Sequence, residues 1–431
     1  MAKHSKVANR LLIRGGRLID PGQRANALLD ILIEDGRIAA IAKAAEINVS
    51  NCEMVDARGM IVAPGFIDIH VHLREPGQSH KETIGTGTMA AAAGGFTSVC
   101  AMPNTSPVND SVEITRWMQQ PERGAVVNVF PIAAATIGSK GEQLTDYRNL
   151  REAGAVAVTD DGKPILEDAV MRAALHVSRR VGIPVIQHAE DTRLTQGGAM
   201  NLGPASFRLG LRGMPIEAES NVVERDIELA RETKAHLHVA HLSTSAALEA
   251  VRRAKREGLN VTCEVTPHHL EFTDEAVANY DSNWKMNPPL RSVGDRNALC
   301  RGLLDGSIDC VATDHAPHAL HEKQVEFDRA PFGVTGLETA LPIVLGQTNR
   351  DLMRTVDLLS TRPARIVNLS GRGMLAKDAH ADVVIFDPDE EWTFTAEESR
   401  SKSKNSPFLG RRFFGRVKGT VVSGKIVYPR N

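Results

Sequence analysis

Apolar residues recur along this chain in two rhythms. Short runs rich in Val, Ile and Ala alternate, through the middle of the chain, with longer stretches whose apolar positions return every three or four residues. The first rhythm is that of buried strands, the second that of amphipathic helices. Strand candidates fall at 62–72, 97–102, 126–133, 155–159, 183–188, 237–241, 260–265 and 308–313. Between them, Val170, Ala174, Val177 and Val181 share one helical face, and Leu248, Val251 and Ala254 share another. Eight strands alternating with helices over roughly 300 residues predict an α/β fold, a (β/α)8 TIM-type barrel. The competitor, an open doubly wound sheet, usually carries a Gly-rich phosphate loop after its first strand, and none follows here.

The two ends are patterned differently. Residues 11–14, 30–33 and 38–41, and again 382–386, 419–422 and 426–428, read as short strands around turns, with Asp35-Gly36 a strong tight-turn signal. Neither set is large enough for its own core, so the two are expected to pair into one small β module that brings the termini together. The expected division is 1–62 for the N-terminal part of that module, 63–365 for a catalytic barrel and 366–431 for the C-terminal part. Residues 399–406, Ser-Arg-Ser-Lys-Ser-Lys-Asn-Ser, are polar and read as a surface loop of the module.

A formal net charge of −2 and 4% aromatic residues argue against nucleic-acid and membrane-surface partners. Any anionic small-molecule substrate must then be held by local Arg and backbone N–H groups. Five cysteines without a CxxC pair suggest a reducing cytoplasm and buried thiols. The basic N-terminus lacks an apolar leader and no run is long enough to span a bilayer, so a cytoplasmic protein is expected.

The chemistry gathers at the strand ends, where barrels carry their sites. His70-Val71-His72 ends the first strand, and alternation would turn both imidazoles, and Arg74 after them, to one face. Alone the pair is weak: 15 His in 431 residues yield about 0.5 such pairs by chance. The later ends, however, carry Asp160-Asp161, His188, His241, His268-His269, and Asp314-His315 with His318. A single strand-end His is more often a satisfied polar residue than a ligand, but six such ends on one face point to metal. Imidazole and carboxylate without thiolate suit Zn²⁺ or a similar borderline ion. The ligands are too many for one ion, so two are expected, bridged by a carboxylate from Asp160 or Asp161. Two metals would hold hydroxide at neutral pH, and Asp314 is best placed to take and return the proton.

Asp68-Ile-His-Val-His-Leu-Arg-Glu-Pro-Gly77, Ala101-Met-Pro-Asn-Thr105, Thr159-Asp-Asp-Gly162, Lys285-Met-Asn-Pro-Pro-Leu-Arg291, Ala312-Thr-Asp-His-Ala-Pro-His318 and Ala330-Pro-Phe-Gly333 stand in order along the chain. Together they resemble class I dihydroorotases of the amidohydrolase superfamily, over essentially the whole length. The resemblance implies that His70, His72 and Asp314 hold one zinc, that His188 and His241 hold a second, and that Asp161 bridges. Many superfamily members bridge with a carboxylated lysine, but residues 155–159 contain none. The implied reaction is the reversible interconversion of L-dihydroorotate and N-carbamoyl-L-aspartate in pyrimidine biosynthesis, by metal-bound hydroxide with Asp314 as general acid and base. On the substrate side, Arg74 can grip a carboxylate bidentately, with Asn104 and His318 beside it, while Asn287, Phe332 and Gly333 would face the ring. His315, His268 and His269 read as groups orienting ligands, or equally as packed polar residues. A homo-oligomer is expected, and association with aspartate transcarbamoylase is compatible with an active enzyme of this class. The rivals are a hydantoinase- or allantoinase-type cyclic amidase and a non-catalytic scaffold, the latter disfavoured because no expected ligand is missing.

Overall fold

Gly65 breaks the apolar run at 62–72 into two strands that serve different sheets in the computed structural model, which describes residues 10–43, 46–47 and 52–429. Ile61–Pro64 lies between Arg10–Asp20, parallel, and Val383–Thr393, antiparallel. Phe66–Val71 is instead the first barrel strand, parallel to Phe96–Ala101. No side chain fits at the break: a Cβ on Gly65 would lie 2.2 Å from Thr97 Cγ2 and Oγ1. The N-terminal stretch 1–9, read above for a leader, lies outside the described residues.

The barrel continues through the bent pair Asn128–Pro131 and Ala133–Ala134, then Val158–Thr159, Val185–Gln187, Leu237–Val239, Val261–Val265 and Cys310–Val311, all parallel. It closes where Val71 bridges to His315, with the His72 N–H donating to the His315 carbonyl at 2.9 Å. The fold is therefore the expected (β/α)8 barrel. Its hydrogen-bonded strands are shorter than the apolar runs. Of 155–159 only Val158–Thr159 is strand, yet Ala155 and Ala157 are buried too. The apolar pattern reports burial, which extends beyond the ladder. Helix Ser245–Arg256 buries Leu248, Val251 and Ala254 as expected. In Asp168–Val181 the buried line is instead Met171, Ala174, Leu175 and Ser178, with Val170, Val177 and Val181 packed at its edge.

The terminal segments do share a sheet, in the order Lys425–Tyr428, Arg412–Val422, Val383–Thr393, Ile61–Pro64, Arg10–Asp20, Ala25–Glu34 and Arg37–Lys43. Leu11, Ile13, Ile31, Ile33, Val383, Ile385 and Val421 form its core. Asp35 and Gly36 both take positive φ (48° and 79°) between two of its strands, the tight turn their sequence signals. Among the described residues, Cys100, Cys263 and Cys310 are buried free thiols and Cys52 and Cys300 half-buried ones. No described helix is long and apolar enough to cross a membrane.

Residues 399–406 are not a surface loop. Ser399, Ser401, Ser403, Asn405 and Ser406 are buried, while Arg400 and Lys402 face solvent. The polar side chains are satisfied inside. Ser399 Oγ donates to Glu338 Oε2 (2.7 Å), Ser401 Oγ to Glu82, and Ser403 Oγ to the Lys81 carbonyl (2.6 Å). Composition reports polarity but not who satisfies it, so a strap whose hydroxyls bond inward looks like a solvated loop in the sequence.

One anchor of this strap is pH-sensitive. Burial pushes the Glu338 carboxyl up to about 7, against the opposing pull of the Arg400 N–H, the Ser399 hydroxyl and the Lys404 charge. A folded-state value above the unfolded one means stability present below pH ~4.5 and lost as pH rises through 7, on the order of 3 kcal/mol. Between pH 5 and 8 the wild type is therefore expected to lose melting temperature relative to Glu338→Gln. Parallel melting curves for the two proteins across that range would refute it.

Candidate active site

Three non-glycine residues at the C-terminal end of the barrel hold left-handed backbone: Arg74 (φ 61°), His241 (φ 30°) and Asp314 (φ 47°). Such strain persists where surrounding structure enforces it, and it clusters at functional sites. At the first strand it changes the expected geometry. The ladder stops at Val71, so only His70 is a strand residue, and Arg74 comes to the site through a turn rather than by alternation.

His70 is fully buried. Its Nδ1 lies 2.6 Å from Glu264 Oε1, while its Nε2 has no hydrogen-bond partner among the described residues and faces Asp161 Oδ1 at 3.4 Å and Asp314 Oδ1 at 3.6 Å. His72 Nε2 lies 3.0 Å from Asp314 Oδ1 and 3.5 Å from Asp161 Oδ2. His188 Nδ1 and His241 Nε2 are 2.8 Å apart, each 3.7 Å from Asp161 Oδ1. Asp161 is thus the carboxylate on which all four imidazoles converge. Asp160 turns aside, accepting from the Thr136 N–H at 2.9 Å and from the Thr136 hydroxyl.

These residues fit a metal centre. His70, Asp161 and His241 present their donor atoms within 4.8 Å of one another, and so do His70, His72 and Asp314. Burial opposes ionisation of Asp161 and Asp314, but His70 beside the first and His72 beside the second outweigh it. Both carboxyls stay below their usual range, Asp314 at about 2. Burial likewise opposes charge on His70 and His188, yet the carboxylates prevail and raise both, His188 to about 10. The cluster thus demands buried positive charge, which divalent cations supply as well as protons do, and the unpartnered His70 Nε2 is aimed where one would sit.

One cavity of about 340 Å³ is lined by every candidate site residue except His70. Arg74 stands in its wall, with Nε donating to the Pro317 carbonyl (3.0 Å) and Nη2 3.2 Å from His318 Nε2. Burial lowers the guanidinium only to about 10, so it keeps its charge. Burial, with Arg74 next, pushes His318 down to about 2; this neutral ring lies 2.8 Å from the Phe332 carbonyl. Gly333 lines the same wall at φ 131°, and a Cβ there would come within 2.7 Å of Ala316 Cβ. Asn104 is placed differently from a free substrate donor: Oδ1 lies 2.8 Å from His72 Nδ1 and Nδ2 donates to Asp161 Oδ2 at 3.3 Å. Asn287 Nδ2 donates to Glu190 Oε2 (2.8 Å), which also meets His188 Nε2 (2.8 Å). A larger cavity, about 540 Å³, opens at the other end of the barrel among Arg179, Lys234 and Arg362, away from every histidine of the cluster.

Sequence reasoning missed Glu264, which links His70 Nδ1 to His238 Nε2 (3.1 Å) and accepts the His241 N–H (3.2 Å). The available signal was a lone carboxylate inside an apolar strand run. Glu190 and Glu82 were missed too. His315 Nε2 lies 3.6 Å from Glu82, and its Nδ1 accepts the Gly336 N–H. His269 bonds to Thr266 Oγ1 and the Pro288 carbonyl, and the buried His268 ring has no hydrogen-bond partner among the described residues; both are packed residues outside the donor cluster.

A (β/α)8 barrel with four histidines and two aspartates at its strand ends defines the amidohydrolase class. Residues 308–428 match the model of the amidohydrolase family, and residues 59–247 match the dihydro-orotase-like model. The chain belongs to the dihydroorotase family. It is 49% identical over 425 residues to a dihydroorotase of Solibacter usitatus, covering 97% of this chain and 98% of the relative. It is 48% identical to one of Geotalea daltonii, covering 98% and 100%. Among solved structures it is similar to the L-hydantoinase (dihydropyrimidinase) of Arthrobacter aurescens, with TM-score 0.86, 25% identity and 97% and 95% coverage. It also shares its fold with the dihydropyrimidinase of Brevibacillus agri NCHU1002, with TM-score 0.83, 24% identity and the same coverage.

Proposed function

We propose that this protein is a zinc-dependent cyclic amide hydrolase that interconverts L-dihydroorotate and N-carbamoyl-L-aspartate. The observation that carries the reading is a buried, charged Arg74 in the same cavity wall as a metal-ready cluster, which suits a cyclic amide that also bears a carboxylate. Near-50% identity to dihydroorotases along the whole chain supports it, whereas the hydantoinase likeness speaks for the fold.

In this reading His70, His72 and Asp314 would hold one zinc ion, His188 and His241 would hold a second, and Asp161 would serve both. When bound, the pair lowers the pKa of water towards neutrality and polarises the amide carbonyl. The chain's own groups do the rest. Asp314, ionised at neutral pH, accepts one proton from the attacking water and delivers it to the ring nitrogen as the amide C–N bond breaks, and the new carboxyl group releases the water's other proton to solvent to become a carboxylate. Ring closure runs the same transfers backwards. Arg74, oriented by the Pro317 carbonyl, holds the substrate carboxylate beside neutral His318. Asn104 acts on both sides, steadying His72 and Asp161 at the cavity wall. Asn287 and the Phe332-Gly333 backbone shape the ring subsite.

The same reading moves the expected boundary from 62/63 to Gly65, because Ile61–Pro64 lies in the terminal sheet, and takes 66–365 as the catalytic unit and the terminal segments as its β module, in a cytoplasmic homo-oligomer. A mass measurement on the protein mixed with aspartate transcarbamoylase tests that association. The central test is turnover of L-dihydroorotate alongside metal content. The zinc-loaded protein is expected to open and close this ring and to leave hydantoin untouched. Turnover of hydantoin but not dihydroorotate would sink the proposal in favour of the cyclic-amidase rival.

A further inference from the structure

We infer that Asn405, on the buried strap 399–406, is a positioning residue for the carboxylate end of the substrate. The inference rests on the reading of Arg74 and His318 given above. Asn405 comes from the C-terminal segment and lines no part of the catalytic cavity, yet it fastens two separate stretches of the cavity wall. Its Nδ2 donates to the carbonyls of Ala316 (3.1 Å) and Gly333 (3.0 Å), and its Oδ1 accepts the His318 N–H (2.9 Å). Its own carbonyl accepts the Thr335 N–H at 2.9 Å.

These bonds decide the aim of the carboxylate-binding groups. His318 receives its backbone anchor directly from Asn405. Arg74 leans on the Pro317 carbonyl, between the two residues that Asn405 holds. Gly333 occupies a backbone region that few side chains tolerate, so its loop needs an external tie to keep that conformation. Only a primary amide offers two donors and an acceptor from one short stem. Aspartate, nearly identical in shape, would set a carboxylate oxygen against the Ala316 and Gly333 carbonyls. Serine reaches too few partners.

The strap has a second anchor that serves as a control. Ser401 Oγ donates to Glu82, and the Lys402 N–H donates to Glu82 Oε1 at 3.1 Å, without touching the loops at 316–318 or 333–335. A residue that merely holds the strap down should behave like Ser401. One that aims the pocket should not.

The experiment compares full-length, zinc-loaded wild type, Asn405→Asp, Asn405→Ser and Ser401→Ala. It measures kcat and KM for L-dihydroorotate, competition by orotate (a planar ring with the same carboxylate), zinc content and thermal melting. Asn405→Asp is expected to raise KM and the orotate inhibition constant together by roughly tenfold or more. Zinc content should stay at the wild-type value and kcat should change by less than about threefold. Ser401→Ala is expected to lower the melting temperature while leaving KM unchanged. Asn405→Ser carries the same comparison if the aspartate variant fails to melt cooperatively. An unchanged KM in a folded Asn405 variant, or a loss confined to kcat or to zinc content, overturns the inference. Failure of the wild type itself to turn over dihydroorotate would overturn the underlying reading instead.

Discussion

Asp161→Ala is expected to lower bound zinc from two ions per chain to one or none and to reduce turnover by at least about 10³-fold, the scale of losing an activated nucleophile. The expectation follows from position. Asp161 faces all four histidines, with Oδ1 toward His70, His188 and His241 and Oδ2 toward His72. On the proposed reading Asp161 serves two ions, so its removal weakens both positions together and also leaves four buried imidazoles without their central counter-charge. Metal analysis by mass spectrometry on the dialysed variant reads this directly. Asp160→Asn is the companion, because Asp160 is spent on Thr136 and should not affect zinc. Two ions retained in Asp161→Ala would show that this residue does not bridge.

Arg74→Met is expected to leave zinc content intact and to cut kcat/KM for dihydroorotate by about 2–5 kcal/mol, roughly 30- to several thousand-fold. Methionine keeps much of the volume and removes the charge, so the loss reports recognition rather than collapse of the pocket. The buried guanidinium retains its charge, and desolvation strengthens its hold on a carboxylate. Steady-state kinetics with both dihydroorotate and carbamoyl aspartate check it. Unchanged kinetics in either direction would remove Arg74 from the substrate site.

Most of the barrel and the donor set were legible because both rest on local patterns. A strand-end His-x-His, an Asp-Asp-Gly and an Asp-His are short words, and the period of apolar residues places them at one end of a barrel. The choice between Asp160 and Asp161 was not legible, since adjacent residues differ only in where the backbone turns after residue 159. Glu264 hid because a carboxylate within a strand looks like noise until His70 and His238 are seen on either side of it. The strap at 399–406 was misread for a deeper reason. Its serines and Asn405 are polar yet buried, and the groups that satisfy them, Glu82, Glu338, Ala316 and Gly333, lie 61 or more residues away in sequence.

The break at Gly65 also sets a timetable for synthesis. Ile61–Pro64, which leads straight into His70, meets its antiparallel neighbour only when Val383–Thr393 has left the ribosome. That is roughly 320 residues later, or about a quarter of a minute to a minute at ~5–20 residues per second. Until then one edge of the strand is open to pairing with other nascent chains. A ribosome that stalls before the final β segments therefore releases a chain with an unguarded edge beside His70 and His72.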